Sequence, residues 1–189
     1  LALRTRNIAR ADVFDIAAEP ATAGGNWRLF CSSYIWGQGS NGYGRVRIER
    51  IIRTTRPEQL SAIIASARAR LAECGPLSAY AYLRGGGSAC TVPRWGPAFF
   101  TKLLYFADTP STPDSALILD NLTAHVVSGI GGLPHLVDER GRSGRWTEYR
   151  YGVYLAWMTL VSDTLQVAPD FLEYALFAEG KRQRKRHPS

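Results

Sequence analysis

Residues 96–107 read Gly96-Pro97-Ala98-Phe99-Phe100-Thr101-Lys102-Leu103-Leu104-Tyr105-Phe106-Ala107, and the segment Ala116-Leu117-Ile118-Leu119-Asp120 follows after a Pro-containing loop. Proline suits the first turn of a helix, so a helix is predicted from Pro97. Phe99, Tyr105 and Phe106 lie at i−3, i+3 and i+4 from Lys102, which gives that lysine an aromatic face of its own. Phe100, Leu103, Leu104 and Ala107 cover the other side. A lysine in such a helix has two options. It snorkels its ammonium to water, or it sits in a partly dry pocket as an amine nucleophile. Asp120 also has two readings. It is a preferred N-cap for a helix over Asn121–Val127, worth about 1 kcal/mol, or its carboxylate folds back towards Lys102, 18 residues earlier. An amine beside a carboxylate suits chemistry at a sugar C1′. The amine attacks the anomeric carbon and the carboxylate stabilises the positive charge that develops.

The rest of the chain fits a single buried core. It has 189 residues, 46% hydrophobic and 21% charged, an ordinary globular balance for one domain or two interlocked subdomains. No run of about 18 apolar residues lacks polar breaks, so no membrane span is expected. Cys31, Cys74 and Cys90 are odd in number and scattered, without a CxxC pair. Neither a disulfide framework nor a metal or iron–sulfur site is expected from them. No secretory signal opens the chain, which points to the cytoplasm. The net charge is +7, and a basic domain without a membrane segment points to a polyanion such as nucleic acid. Lys181, Arg182, Arg184, Lys185 and Arg186 carry five of those charges, leaving a body of about +2. Of 20 arginines and 3 lysines, Lys102 is the one lysine outside that run.

Working outward, residues 1–25 read as a short helix or irregular lead-in. Asn26–Gly44 is rich in glycine and aromatics and reads as a loop or short strands able to approach a ligand closely. Leu60, Ile63, Ile64, Ala67 and Leu71 form an amphipathic stripe, so a helix is predicted over Pro57–Cys74. Gly75-Pro76 stops it, and a short helix follows over Leu77–Arg84. Two apolar stripes, on Val153/Trp157/Leu160 and Tyr154/Met158/Val161, predict a largely buried helix over Thr147–Gln166. A final helix is predicted over Phe171–Ala178, followed by a basic disordered tail over 181–189. There is no internal repeat and no sustained strand alternation. The expectation is an all-α fold over residues 1–180 with a glycine- and aromatic-rich N-terminal segment.

The pattern Gly96-Pro97…Lys102…Asp120 resembles the helix-hairpin-helix DNA glycosylase superfamily, in its 8-oxoguanine (OGG-like) branch. In that family a catalytic lysine sits early in the second hairpin helix, and a catalytic aspartate caps a helix some twenty residues later. Residues 171–182, with Leu172-Glu173-Tyr174-Ala175-Leu176-Phe177, resemble the terminal pocket helix, where a polar residue and a phenylalanine four positions later hold the extruded base. The resemblance runs from about Trp95 to Gly180 and places the hairpin and catalytic segment over about 92–128. It implies two interlocked helical subdomains. It departs from the family at the hairpin, where Leu-Pro-Gly-Val-Gly becomes Val92-Pro93-Arg94-Trp95-Gly96 followed by Pro97, which has no N–H for a phosphate. It departs again four residues after the lysine, where a cysteine of the eukaryote-like enzymes becomes Phe106. The cluster cysteines of the endonuclease III branch are absent, so no iron–sulfur cofactor is implied, nor any other cofactor or metal.

The resemblance implies a bifunctional glycosylase and AP lyase, acting as a monomer on double-stranded DNA that carries 8-oxoguanine or a related modified purine. A flipped base is stacked between apolar faces and read on its pairing edge. Phe106 and Phe177 are the candidate faces. Glu173 is the candidate reader, since a carboxylate accepts from guanine's two donors. Gln38 lies in the Trp36-Gly37-Gln38-Gly39 segment expected to supply a backbone acceptor for the N7–H of 8-oxoguanine. The bland alternatives are a core Phe177 and a surface Glu173. Arg94, Trp95 and Gly96 at the hairpin, His125 after Asp120, and Arg140, Arg142 and Arg145 are candidate DNA contacts. For the arginines the alternative is an ordinary solvated surface. Rival functions are a glycosylase for other modified bases, as in phage defence, a catalytically silent DNA-binding module of the same fold, and an unrelated helical bundle with a chance Lys–Asp pair. Borohydride trapping separates the enzyme from the silent module, and the Lys102–Asp120 distance tests the chance pair.

Overall fold

The described residues form eight α-helices and a 3-10 turn at Pro134–Leu136, with no strand among them. The computed structural model describes residues 8–39, 43–87, 90–108, 114–130, 132–138 and 145–186, with the backbone alone at 43–45. The helices are α1 (Arg10–Ala17), α2 (Ala23–Gln38), α3 (Tyr43–Thr54), α4 (Pro57–Gly85), α5 (Pro97–Ala107), α6 (Asn121–Gly129), α7 (Glu148–Leu165) and α8 (Pro169–Arg186). None is long and apolar enough to cross a membrane.

Local chemistry sets several boundaries. Within α4, Gly75 takes φ +79° and ψ 179°, and Pro76 follows. Only glycine adopts that conformation freely, so α4 breaks where the Gly-Pro pair predicts. Thr147 caps α7 by accepting a hydrogen bond from Arg150 N at 3.3 Å, and Gln166 closes it in the left-handed region.

Two predicted boundaries are corrected. The glycine- and aromatic-rich stretch is not a loop or strands: α2 runs through Gln38, and α3 starts at Tyr43. The buried positions of α2 are Gly25, Asn26, Leu29, Phe30, Ser32, Ser33 and Tyr34; the helical 3–4 spacing of Asn26, Leu29, Phe30, Ser33 and Tyr34 buries one face and overrides the low propensity of glycine. At the other end, α8 does not stop near Ala178. The basic run is helical through Arg186, in keeping with the high helix propensity of Lys, Arg and Gln.

The helices sort into two groups. α2 packs on α1, α3, α4 and α5, and α5 also meets α1 and α4. α6 and α8 pack on each other, and α7 ties α8 back to α4. One hydrophobic core runs through both groups, from Val13 on α1 to Leu176 on α8. α8 crosses α6 closely: a Cβ on Gly180 would lie 3.0 Å from both the Cβ and the carbonyl oxygen of Leu122. Between α5 and α6 the buried segment Ser115–Leu119 has no regular secondary structure. Its backbone is held by side chains. Tyr151 and Tyr154 on α7 donate to the carbonyls of Leu117 and Ile118 at 2.9 and 2.8 Å. Leu119 N donates to Thr101 Oγ1 at 3.3 Å. Buried backbone groups need such partners, and these fix where the next residue, Asp120, must point.

Candidate active site

Lys102 lies inside the protein, with 6% of its side chain exposed, and Asp120 beside it has 13%. Lys102 Nζ donates to Asp120 Oδ2 at 3.1 Å and to the carbonyl of Ala98, one turn back on α5, at 2.6 Å. The lysine does not snorkel. Its stem passes so close to α2 that a Cβ on Gly37 would meet Lys102 Cδ at 2.6 Å. The close approach expected of this glycine is therefore to the lysine stem. Asp120 divides its two oxygens: Oδ1 accepts from Leu122 N and Thr123 N, both at 3.1 Å, and caps α6, while Oδ2 faces the amine. The two readings of Asp120 are met at once.

The hairpin ahead of α5 keeps its turn despite the changed sequence. Arg94 stands where the family pattern has glycine, and it takes φ 67°, in the left-handed region that costs a non-glycine residue about 1 kcal/mol or more. Trp95 N donates to Val92 O at 3.2 Å across the turn. The indole of Trp95 is buried edge-on against Phe30 and Phe100, with ring centres 5.4 and 6.3 Å away. Arg94 and Gly96 are exposed, and Tyr34 donates to Arg94 O at 3.3 Å.

A second set of side chains converges beside the pair. Glu173 on α8 is 1% exposed, so the surface alternative is excluded. Arg10 on α1 reaches it, with Nη2 3.5 Å from Glu173 Oε2. Arg10 Nη1 donates to Tyr105 Oη at 2.8 Å. The guanidinium lies against three rings, 5.4 Å from Trp36, 4.9 Å from Tyr105 and 5.7 Å from Tyr174, within cation–π range. Burial pushes the Glu173 carboxyl up to about 7; Asp120 and Asp170 add to the rise, and Arg10 and Lys102 oppose it. Three buried side-chain atoms have no hydrogen-bond partner among the described residues: Glu173 Oε2, Gln38 Nε2 and Thr123 Oγ1, the last beside Asp120.

The other predicted residues are placed as follows. Phe106 is 1% exposed and packs edge-on against Trp36 and Phe14 at 5.0 Å. Phe177 is half-buried, with Lys181 Nζ 5.2 Å from its ring centre. His125 is exposed on α6, and Arg145 is exposed ahead of α7. Arg140 and Arg142 lie outside the described residues. Arg10, Thr101 and Tyr154 were not singled out from sequence. Arg10 is one of 20 arginines, and nothing local marks it. Among the described residues no group of three His, Cys, Asp or Glu side chains is placed to hold a metal.

A buried lysine held on a capping aspartate, behind the Val92–Trp95 turn in an all-helical protein, is the arrangement that the resemblance to helix-hairpin-helix DNA glycosylases implies. The comparison with known families agrees. The chain belongs to the family described as "Putative 8-oxoguanine DNA glycosylase OGG-like protein", whose model matches residues 2–177. No curated protein and no solved structure matches it.

Proposed function

We propose that the protein is a bifunctional DNA glycosylase and AP lyase that removes 8-oxoguanine or a related modified purine from double-stranded DNA. The 3.1 Å contact between Lys102 Nζ and Asp120 Oδ2 carries this reading. Asp120 takes the proton that frees the amine lone pair, and Lys102 attacks C1′. The C1′–N9 bond breaks, and its electron pair leaves with the base, which gains a proton. Asp120 passes that proton to the departing base, and the carboxylate so restored opposes the positive charge that develops on the sugar. Ring opening gives a Schiff base between Lys102 and C1′. Loss of a C2′ proton then expels the 3′ phosphate and nicks the strand.

The flipped base enters beside Glu173, whose carboxylate accepts from guanine's N1–H and 2-amino group. The α2 terminus lies next to Lys102, and a helix leaves its last carbonyls without intrahelical partners. That end supplies the acceptor for the N7–H that separates 8-oxoguanine from guanine. The exposed turn at Arg94 and Gly96 meets the DNA backbone. Every residue used comes from one chain, so a monomer suffices.

The test is borohydride trapping on duplexes bearing 8-oxoguanine, other modified purines or a pre-formed abasic site. A covalent complex with the 8-oxoguanine duplex, accompanied by release of the free base, is expected. A protein that binds these duplexes but traps none is a silent binding module.

A further inference from the structure

We infer that Arg10 is a specificity-determining residue, and that with Glu173 it reads a guanine-type edge: the guanidinium donates to O6 while the carboxylate accepts from N1–H and the 2-amino group. This rests on the reading above that a modified purine is flipped in beside Glu173. Three observations carry it. Glu173 Oε2 is buried and accepts no hydrogen bond among the described residues, so a ligand can bring the donor it lacks; a buried acceptor left unmade costs about 1–3 kcal/mol. Arg10 stands 3.5 Å from that oxygen, close enough to sit at the same base edge yet not hydrogen-bonded to it. The guanidinium is also held in place from outside the pair, by Tyr105 Oη and by the Trp36, Tyr105 and Tyr174 rings. Of its five N–H donors, one is bonded to the tyrosine among the described residues, and 29% of the side chain remains exposed.

The donor–acceptor order then decides the base. Guanine and 8-oxoguanine offer acceptor, donor, donor along the pairing edge, which matches guanidinium followed by carboxylate. Adenine and 8-oxoadenine offer an amino donor opposite Arg10 and the N1 acceptor opposite Glu173. Each of those mismatches leaves buried polar groups unpaired, which is how a site rejects an analogue strongly.

Single-turnover release from 8-oxoguanine and 8-oxoadenine duplexes, run beside cleavage of a pre-formed abasic duplex, tests this in wild type, Arg10→Ala and Arg10→Lys. In Arg10→Ala, 8-oxoguanine release should fall roughly 10- to 100-fold beyond any fall in abasic cleavage. The preference over 8-oxoadenine should narrow by a similar factor. Arg10→Lys, which keeps a charged donor, should recover part of both. Release and abasic cleavage falling together would make Arg10 a support of the fold or of Lys102, and overturn the inference. So would unchanged release or unchanged preference. Faster release in Arg10→Ala would make the guanidinium an occupant that the base displaces, and overturns it too. A wild-type protein that cleaves abasic DNA but releases neither purine overturns the parent reading instead, and this one falls with it.

Discussion

Lys102 and Asp120 already hold each other by a hydrogen bond, whereas Glu173 Oε2 and Gln38 Nε2 have no hydrogen bond among the described residues. Lys102 has two acceptors, and Asp120 uses one oxygen for the amine and the other for the α6 cap. The segment leading to Asp120 is pinned by Tyr151, Tyr154 and Thr101. On the other side, Glu173 Oε2 and Gln38 Nε2 are buried without a hydrogen bond among the described residues. Apart from Thr123 Oγ1, which is also buried without a hydrogen bond among the described residues, the Lys102–Asp120 side is held in place in the free protein, as the proposed chemistry requires. On the function proposed above, the Lys102–Asp120 side attacks and the Glu173 side reads, and the Glu173 side keeps groups that a flipped base would satisfy. The difference implies that the two steps, breaking the sugar bond and choosing the base, respond separately to substitution.

The strongest break of that comparison is Lys102→Gln. It should abolish both borohydride trapping and strand nicking, while binding of the duplex persists because phosphate contacts lie elsewhere. Trapping by the variant, located by peptide mapping, would move the nucleophile to another amine. Next is Asp120→Asn. The amide still caps α6, so the fold should persist, but the buried Lys102 loses its counter-charge and the melting temperature should fall. Base release and abasic cleavage should both fall by about 10²–10³-fold, the usual cost of losing a charge aimed at the transition state. Turnover close to wild type would leave Asp120 a cap alone.

Glu173→Ala should separate the two sides. Base release should fall roughly 10- to 100-fold further than abasic cleavage, because the abasic substrate has no base to read. Glu173→Gln should be milder, since its amide oxygen still accepts. Equal losses in both assays would take Glu173 out of the reading side. The same residue sets a pH dependence. Its carboxyl is raised to about 7 by burial, with Asp120 and Asp170 adding and with Arg10 and Lys102 opposing. Below that value it is protonated and has fewer acceptors to offer, so the ratio of release to abasic cleavage should rise with pH through about 7.

Stability should run the other way. A carboxyl raised in the folded protein binds a proton there more tightly than in the unfolded chain. Folding is therefore favoured at low pH and loses that advantage as pH climbs from about 4.5 to above 7. The stability of Glu173→Gln relative to wild type should grow over that window, by ~3 kcal/mol, as read by denaturant melts. A difference flat with pH would mean that Glu173 stays ionised. The smallest effect is expected of Gly37→Ala. The methyl would press on the Lys102 stem, lowering release and abasic cleavage by a common factor of a few, with no loss of helix stability.

The sequence told more about the attacking side than about the reading side, for a physical reason. Lys102 and Asp120 are 18 residues apart, and each is marked by its neighbours: an aromatic helix face for one, a cap position for the other. The Gly75-Pro76 break and the ends of α7 are equally local. Burial of Glu173 is not local, because it depends on α8 lying against α6 at Gly180. Arg10 meets Glu173 only through the tertiary fold, so no spacing rule could pair them. α2 was missed because glycine and aromatics signal loops in isolation, while burial of Leu29, Phe30 and Tyr34 decides otherwise. The basic run was read as tail from its charge, when its residues are also strong helix formers.

The unequal sequence separations have a consequence for how the protein fails. Contacts between α1 and α8 close a long loop, and such contacts are costly to form. α1 is eight residues long and held by Val13 and Ala17 in the core, so we propose that it opens locally only when those contacts are weakened by denaturant. Lys102 and Asp120 belong to neighbouring elements inside the core and stay together until global unfolding. In rising urea, discrimination between purines should therefore decay at a lower concentration than abasic cleavage. Between the two midpoints the protein would persist as an unselective nicking enzyme, a state more hazardous to a genome than an inactive one. Coincident midpoints would show instead that α1 unfolds with the core.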